Sequence, residues 1–305
     1  MVVSLIISLL SRLSEYSQSD SMPRTCIITD STANFTKSSF SGQEQVTILP
    51  HYVQLNNHHV LDSKDLSIYQ PPTKFLKAPQ TSPPSVDDFQ DAFASLGMKY
   101  KEIVVILLSS HLSKANHNAH LASRSGKSPA NIFIIDSLNT AVGLGLLVQS
   151  AADYAHRGYS GLEINRLVRG MINHIYSVFC LPDLSYLYRS GQIDPAQAIV
   201  GEMLGVIPFF TLENGKLIHT QKIRSPRHLV DIMYEFVAEF ENIKYLALLQ
   251  GVSTFEQESR NLRDRISQNV RGTPLCEQSL SLSLATILGP HSIGLVVMEN
   301  SPREA

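Results

Sequence analysis

The chain has 305 residues, 43% of them hydrophobic and 17% charged, with a formal net charge of -2 and a pI near 6.6. That is enough apolar material for one large or two moderate cores, and the near-neutral balance excludes the basic footprint of a nucleic-acid binder. Cys26, Cys180 and Cys276 lie far apart with no metal-ligand spacing, and an odd count without a secretion signal fits a reducing cytoplasm.

Residues 1–21 read as an extension. Its apolar run SLIISLL is too short to span a bilayer, no basic segment precedes it, and SEYSQSDS has the composition of a disordered linker. A weak amphipathic membrane anchor is the other reading of this stretch. The first predicted strand covers residues 25–32 (TCIITDST), with Cys26 as a small core residue. Asp30 at its end invites comparison with aspartyl-nucleophile phosphotransferases. Those need a second acid two residues on, where this chain has Thr32, so the comparison fails. Residues 46–55 (VTILPHYVQL) read as a strand and HHVLD as its hairpin partner. A proline-rich loop follows, ending in Thr81, Ser82, Pro83, Pro84 and Ser85. Ser85 with Asp87 and Asp88 predicts the N-terminus of a helix over 86–96.

Residues 103–108 (IVVILL) form the most apolar run, rich in β-branched residues, as suits a strand buried on both faces of a parallel sheet. It stops at Ser109, Ser110 and His111. Hydroxyls at the carboxyl end of a central parallel strand stand where open α/β sheets bind ligands, and a small anion there would meet O–H and helix N–H groups. The alternative is that the serines only cap the next helix, predicted over 113–123. A strand at 131–136 and a helix at 140–156 come next. Gly143 and Gly145 lack the third glycine of a dinucleotide fingerprint, and a close helix–sheet contact explains them better. The alternation of strand and helix predicts a doubly wound parallel-sheet domain.

A helix over 160–175 leads to the second half. Short helices are expected at 184–189 and 196–205. Asn214-Gly215 between two apolar runs predicts a hairpin of strands at 207–212 and 217–223, because both turn positions need positive φ. Helices at 227–240 and 255–270 and strands at 245–249, 274–278 and 294–298 complete the pattern. The fold class is therefore α/β in two domains. An N-terminal doubly wound parallel-sheet domain (22–175) is followed by a C-terminal mixed-sheet α/β domain (176–305).

In this order, CIITDST, TSPPS, LLSSHLS, IIDS, LSYLYRSGQI with AxxxGEMLGVIPFF, and ENGKLIHTQKIRSPRHLV resemble the DegV family of fatty-acid-binding proteins, from about residue 25 to 297. The resemblance implies a long-chain fatty acid bound between the two domains as the only ligand, with no cofactor and no metal. Its carboxylate would be held by hydroxyls at Thr81 or Ser82, together with Ser110. The resemblance also implies a lipid carrier without catalytic residues, partnered by a separate fatty-acid kinase; transient membrane contact is compatible with that role. Two positions depart from the family pattern. GGRI reads Ser190-Gly191-Gln192-Ile193, so Gln192 stands where an arginine works with the kinase, and Arg189 is the candidate replacement for its charge. HTGPG reads Ile287-Leu288-Gly289-Pro290-His291, so His291 either reaches the carboxylate from the last motif position or is an ordinary loop histidine.

Candidates for lining an acyl tunnel are Phe179, Met203, Val206, Ile207, Phe209 and Phe210, although helix and strand periodicity alone favours ordinary core for each. The enzyme alternatives lack their motifs: there is no phosphate loop with lysine, no paired metal-binding carboxylates, and no G-x-S-x-G elbow. A non-lipid interaction protein on the same fold is the remaining alternative.

Overall fold

The computed structural model describes residues 24–55, 58–68, 79–203, 207–252, 255–270 and 272–300. The predicted extension at 1–21, Val206 and most of the proline-rich loop lie outside the described residues.

Strands β1 (Thr25–Asp30), β2 (Val46–Leu49), β6 (Glu102–Leu107) and β7 (Asn131–Asp136) form a sheet in the order β2-β1-β6-β7, parallel throughout. Period-two alternation assigns its side chains to two cores. Cys26, Ile28, Ile103, Val105 and Leu107 face helices α1 (Val86–Gly97) and α2 (Ala115–Ser123). Ile27, Val104 and Ile106 face α3 (Ala141–His156) and α4 (Gly161–Ile172). Burial pushes the Cys26 thiol up to about 12, which suits a core residue rather than a nucleophile. The predicted cap at Ser85 is a full capping box: its hydroxyl accepts from the Asp88 N–H, and the Asp88 carboxylate accepts from the Ser85 N–H.

The second half forms a six-stranded mixed sheet from β8 (Ile175–Cys180), β9 (Ile207–Glu213), β10 (Lys216–Ile223), β11 (Ile243–Gln250), β12 (Leu275–Ser279) and β13 (Ile293–Glu299), in the order β10-β9-β8-β13-β11-β12. Only β11 and β12 run parallel; the other neighbours are antiparallel. Helices α7 (Pro226–Ala238) and α8 (Glu256–Asn269) cover its outer face through Leu229, Met233, Leu262 and Ile266. The inner face, with Phe179, Phe210, Ala247 and Val296, shares one continuous core with α3 and the parallel sheet. That explains the glycines of α3: a Cβ on Gly145 would strike the Asn34 backbone, and one on Gly143 would strike Asn139 and Ile175. Helices α5 (Leu184–Arg189) and α6 (Pro195–Met203) pack together beside this sheet.

Two sequence expectations are corrected, and one element is added. The strand expected over 46–55 is two strands in different sheets: Pro50 and His51 break it, and β3 (Tyr52–Leu55) joins β4 (His58–Leu61) and β5 (Gln80–Ser82) in a small antiparallel sheet of order β4-β3-β5. The helix expected to Ile175 ends at Ile172, and IYSVFC forms β8, a central strand of the mixed sheet. SLSLATIL, unassigned from sequence, supplies α9 (Leu282–Leu288), whose residues are all buried. Helix α9 packs on β3 and β5 from the N-terminal half and on α5 from the C-terminal half, around Val53, Tyr186, Leu282 and Ala285.

Candidate ligand-binding site

The carboxyl ends of β1, β6 and β7 carry a dense hydrogen-bond network. Asp30 is fully buried; its Oδ2 accepts from the Leu108 N–H at 2.8 Å, and its Oδ1 accepts from the Thr32 N–H at 3.0 Å and from the Thr32 hydroxyl. Asp136 Oδ1 accepts from the N–H groups of Ser110 and Leu138, each at 3.1 Å. Both acids therefore organise loops, as buried or half-buried carboxylates do when surrounded by backbone donors. The two adjacent serines have different fates. Ser109 is buried, and its hydroxyl donates to the Gly215 carbonyl at 2.8 Å, tying the strand end to the β9–β10 turn. Asn214 and Gly215 take φ of +48° and +79° there, as the hairpin reading required. Ser110 is exposed at the rim, and no hydrogen bond of its hydroxyl to a described residue is present.

Thr81 lies in β5 opposite Val53, and its hydroxyl is buried with no hydrogen-bond partner among the described residues. Ser82 is exposed. The loop that follows is fastened at Pro84, whose carbonyl accepts from Asn118 Nδ2 at 2.8 Å, so the segment carrying Thr81 is clasped to α2, the helix that follows Ser110. A buried hydroxyl without a partner is uncommon because it forfeits its hydration, and it marks a place where a guest or water completes the bonding.

A second polar group, not singled out from sequence, lies where β3 meets α9. His51 is fully buried; its N–H donates to Ser31 Oγ at 2.9 Å, and its carbonyl accepts from the Asp62 N–H at 2.9 Å. Ser31 Oγ in turn donates to Asp62 Oδ2 at 2.8 Å, and the Ser283 N–H donates to Asp62 Oδ1 at 2.9 Å. Burial raises the Asp62 carboxyl above its ordinary value, opposed by these hydrogen bonds and by the electrostatic influence of the neighbouring His51. The available signal was a lone histidine inside the apolar run VTILPHYVQL, directly after a proline.

Beside the strand ends, α5, α6 and the β9–β10 hairpin enclose a cavity of about 660 Å³, within the range of roughly 300–1,000 Å³ typical of small-molecule sites. Its walls include Leu184, Ile193, Ala196, Pro208, Phe210 and Leu217, and Lys222 and His219 also line it. Gln192 links this cavity to the strand ends: it lines the cavity, and its Nε2 donates to the His111 carbonyl at 2.9 Å, one residue from Ser110. Of the tunnel candidates, Phe210 lines the cavity, and Phe179 is its cross-strand partner in the shared core. Phe209 and Ile207 face the opposite side of the sheet, since β9 alternates, and Met203 is 81% exposed. A separate cleft of about 710 Å³ lies on that opposite side, lined by Glu213, Glu235, Glu239 and Glu299 and by no lysine or arginine.

Arg189 is exposed at the end of α5, with its guanidinium 5.8 Å from the Tyr186 ring centroid. His291 is half-buried, its Nδ1 3.3 Å from the Val252 carbonyl oxygen in the β11–α8 loop. Among the described residues no cluster of three His, Cys, Asp or Glu side chains could hold a metal ion, and no helix is long and apolar enough to cross a membrane.

Residues 24–300 match the family model described as "Uncharacterised protein, DegV family". A DegV domain-containing protein of Clostridium perfringens is 26% identical over 283 residues, covering 90% of this chain and 99% of the relative. Among solved structures, a fatty-acid-binding DegV family protein from Thermus thermophilus superposes with a TM-score of 0.78 at 23% identity, covering 91% of this chain and all of that one. The Fatty Acid Kinase (Fak) B3 protein of Streptococcus pneumoniae, loaded with linoleic acid, gives a TM-score of 0.76 at 19% identity with 91% and 100% coverage.

Proposed function

The chain belongs to the DegV family, and from that membership we propose that it binds a long-chain fatty acid between its two halves, a domain of residues 22–175 and one of 176–305. The carboxylate lies at the Thr81 and Ser110 hydroxyls and the acyl chain runs into the 660 Å³ cavity beside the hairpin. The observation that carries this reading is Gln192, which lines that cavity and bonds to the residue next to Ser110, so that an apolar space and a hydroxyl-bearing strand end adjoin. Each buried methylene contributes about 0.8 kcal/mol, so a long chain supplies on the order of 10 kcal/mol before the costs of association. The head group then needs only donors that offset its desolvation, which serine and threonine hydroxyls provide. The fatty-acid ligands of the Thermus and Streptococcus proteins support the same reading.

The chain's role is that of a carrier: it presents the bound acid to a separate fatty-acid kinase in the cytoplasm and meets the membrane only transiently. Arg189, exposed one short turn from Gln192, is a cation available to a kinase on this face. Native mass spectrometry of the full chain purified from bacteria tests the proposal. The expected result is a co-purifying mass of fatty-acid size that exchanges with added oleic acid. A protein that is empty and takes up no acid of long chain length would overturn it.

A further inference from the structure

We propose that His51 and Ser283 are further contacts for the ligand's carboxyl group; this rests on the fatty-acid reading and names the rest of its head-group site. The observation is a set of buried polar atoms that no described residue satisfies with a hydrogen bond. Among the described residues neither ring nitrogen of His51 has a hydrogen-bond partner, although the side chain is fully buried. The nearest acid, Asp30, has its Oδ1 at 3.7 Å from Nε2, beyond a hydrogen bond, and that oxygen already accepts twice from Thr32. The Ser283 hydroxyl is likewise buried and unpartnered, as is that of Thr81.

These atoms come from three segments that the fold draws together. Thr81 pairs across the sheet with Val53, two residues after His51. Helix α9 packs on both of those strands and brings Ser283, whose N–H is bonded to the same Asp62 that bonds the His51 backbone. The backbone of His51 is held on both sides, so the ring is positioned by its surroundings and not free to seek water. Other described residues also hold such atoms, among them Thr29, Asn34 and Thr140; what sets these three side chains apart is that they lie on adjoining segments, so that one guest can satisfy them together.

The chemistry of the socket selects the guest. An imidazole N–H and two hydroxyls are donors, and an ionised carboxylate is an acceptor-only group with about four lone-pair positions. Asp30 and Asp62 stand close by, so a bare carboxylate enters only where donors face it. His51, beside both acids, is the residue placed to do so. A fatty alcohol of equal length fills the acyl cavity equally well but presents one hydroxyl in place of two acceptor oxygens.

The test is the affinity of the full chain for oleic acid and for oleyl alcohol. Losing one hydrogen bond to a charged group lowers affinity about ten- to hundredfold. His51→Leu and Ser283→Ala should each show that loss for oleic acid while oleyl alcohol affinity stays within about twofold. His51→Gln, which keeps an N–H donor, should recover most of the acid affinity. His51→Leu that binds oleic acid like the wild type, or that loses acid and alcohol equally, overturns the proposal. Because a buried histidine variant can fail to fold, the wild type with [1-13C]oleate and 15N-labelled histidine gives an independent reading. A through-space contact between the carboxyl carbon and an imidazole nitrogen supports the assignment, and its absence in a loaded protein overturns it. A wild type that binds neither probe overturns the fatty-acid reading itself; normal oleic acid binding with an indifferent His51 overturns this inference alone.

Discussion

The carboxyl ends of the parallel sheet and the cavity beside the β9–β10 hairpin meet at Gln192, yet they are built on opposite principles. At the strand ends, individual atoms are specified: Asp30, Ser109 and Asp136 are each fully committed to loops, and the Thr81 hydroxyl is left over. In the cavity most of the wall is aliphatic or aromatic and sets shape and extent, with Gln192, Asp194, Gln197, His219 and Lys222 as its polar members. A polar end of this kind discriminates head groups, because an unpaired buried donor is costly whereas an imperfect apolar contact is not. An apolar end of this kind supplies most of the affinity and tolerates variation in the chain.

The largest break in this comparison comes from placing a charge in the apolar end. Leu217→Asp puts a carboxylate in the cavity wall and should reduce affinity for oleic acid and oleyl alcohol alike by roughly a hundredfold or more, given the cost of desolvating a charge. Fluorescent fatty-acid displacement reads this, and unchanged affinity would remove the hairpin from the site. Next comes Thr81→Val, nearly isosteric. It should lower acid affinity about ten- to hundredfold while leaving the melting temperature of the empty protein equal or higher, because a buried orphan hydroxyl is removed. A drop in melting temperature would show that the hydroxyl serves the fold.

The adjacent serines separate the two kinds of role. Ser109→Ala leaves the buried Gly215 carbonyl without its donor and should cost about 1–3 kcal/mol of stability, seen in denaturant unfolding. Ser110→Ala should leave stability within about 0.5 kcal/mol, as expected of an exposed position, while weakening fatty-acid binding. Equal effects from both would erase the distinction drawn between them. The smallest effect on binding belongs to Gln192→Arg. Oleic acid affinity should change far less than with Leu217→Asp, because Gln192 is only half-buried and a long arginine side chain carries its charge out to water, while acyl-phosphate formation with a bacterial fatty-acid kinase rises, because a planar cation suits phosphate better than an amide. The same assay with Arg189→Ala asks whether that residue already supplies the charge.

The elements that position the site were readable where a single physical signal dominated. The apolar run of β6, the Ser85 capping box and the Asn214-Gly215 turn each stand in the structure where residue type alone predicted them. The failures came where tertiary context decides. Pro50 and His51 interrupt a run that pattern alone makes continuous, and the chain changes sheets there. β8 follows an amphipathic helix without a turn signal, and α9 is buried on all sides, so neither carries a readable period. For the site, hydroxyl motifs marked Thr81, Ser82 and Ser110 equally, and only burial separates the enclosed Thr81 from the exposed pair. His51 and Ser283 were not legible, since their interest lies in having no partner, and partners are not visible in one dimension.

The central claim is that one ligand has its head at the strand ends and its tail beside the hairpin. Photolabelling with two diazirine fatty acids, one reactive near the carboxyl group and one at the methyl end, tests it most directly. The account predicts that the head-end probe labels peptides carrying Thr81 and Ser110, and that the tail-end probe labels those carrying Phe210 and Leu217. Labelling of both sets in the reverse order, or of the glutamate-lined cleft around Glu235 and Glu239 by either probe, would contradict it.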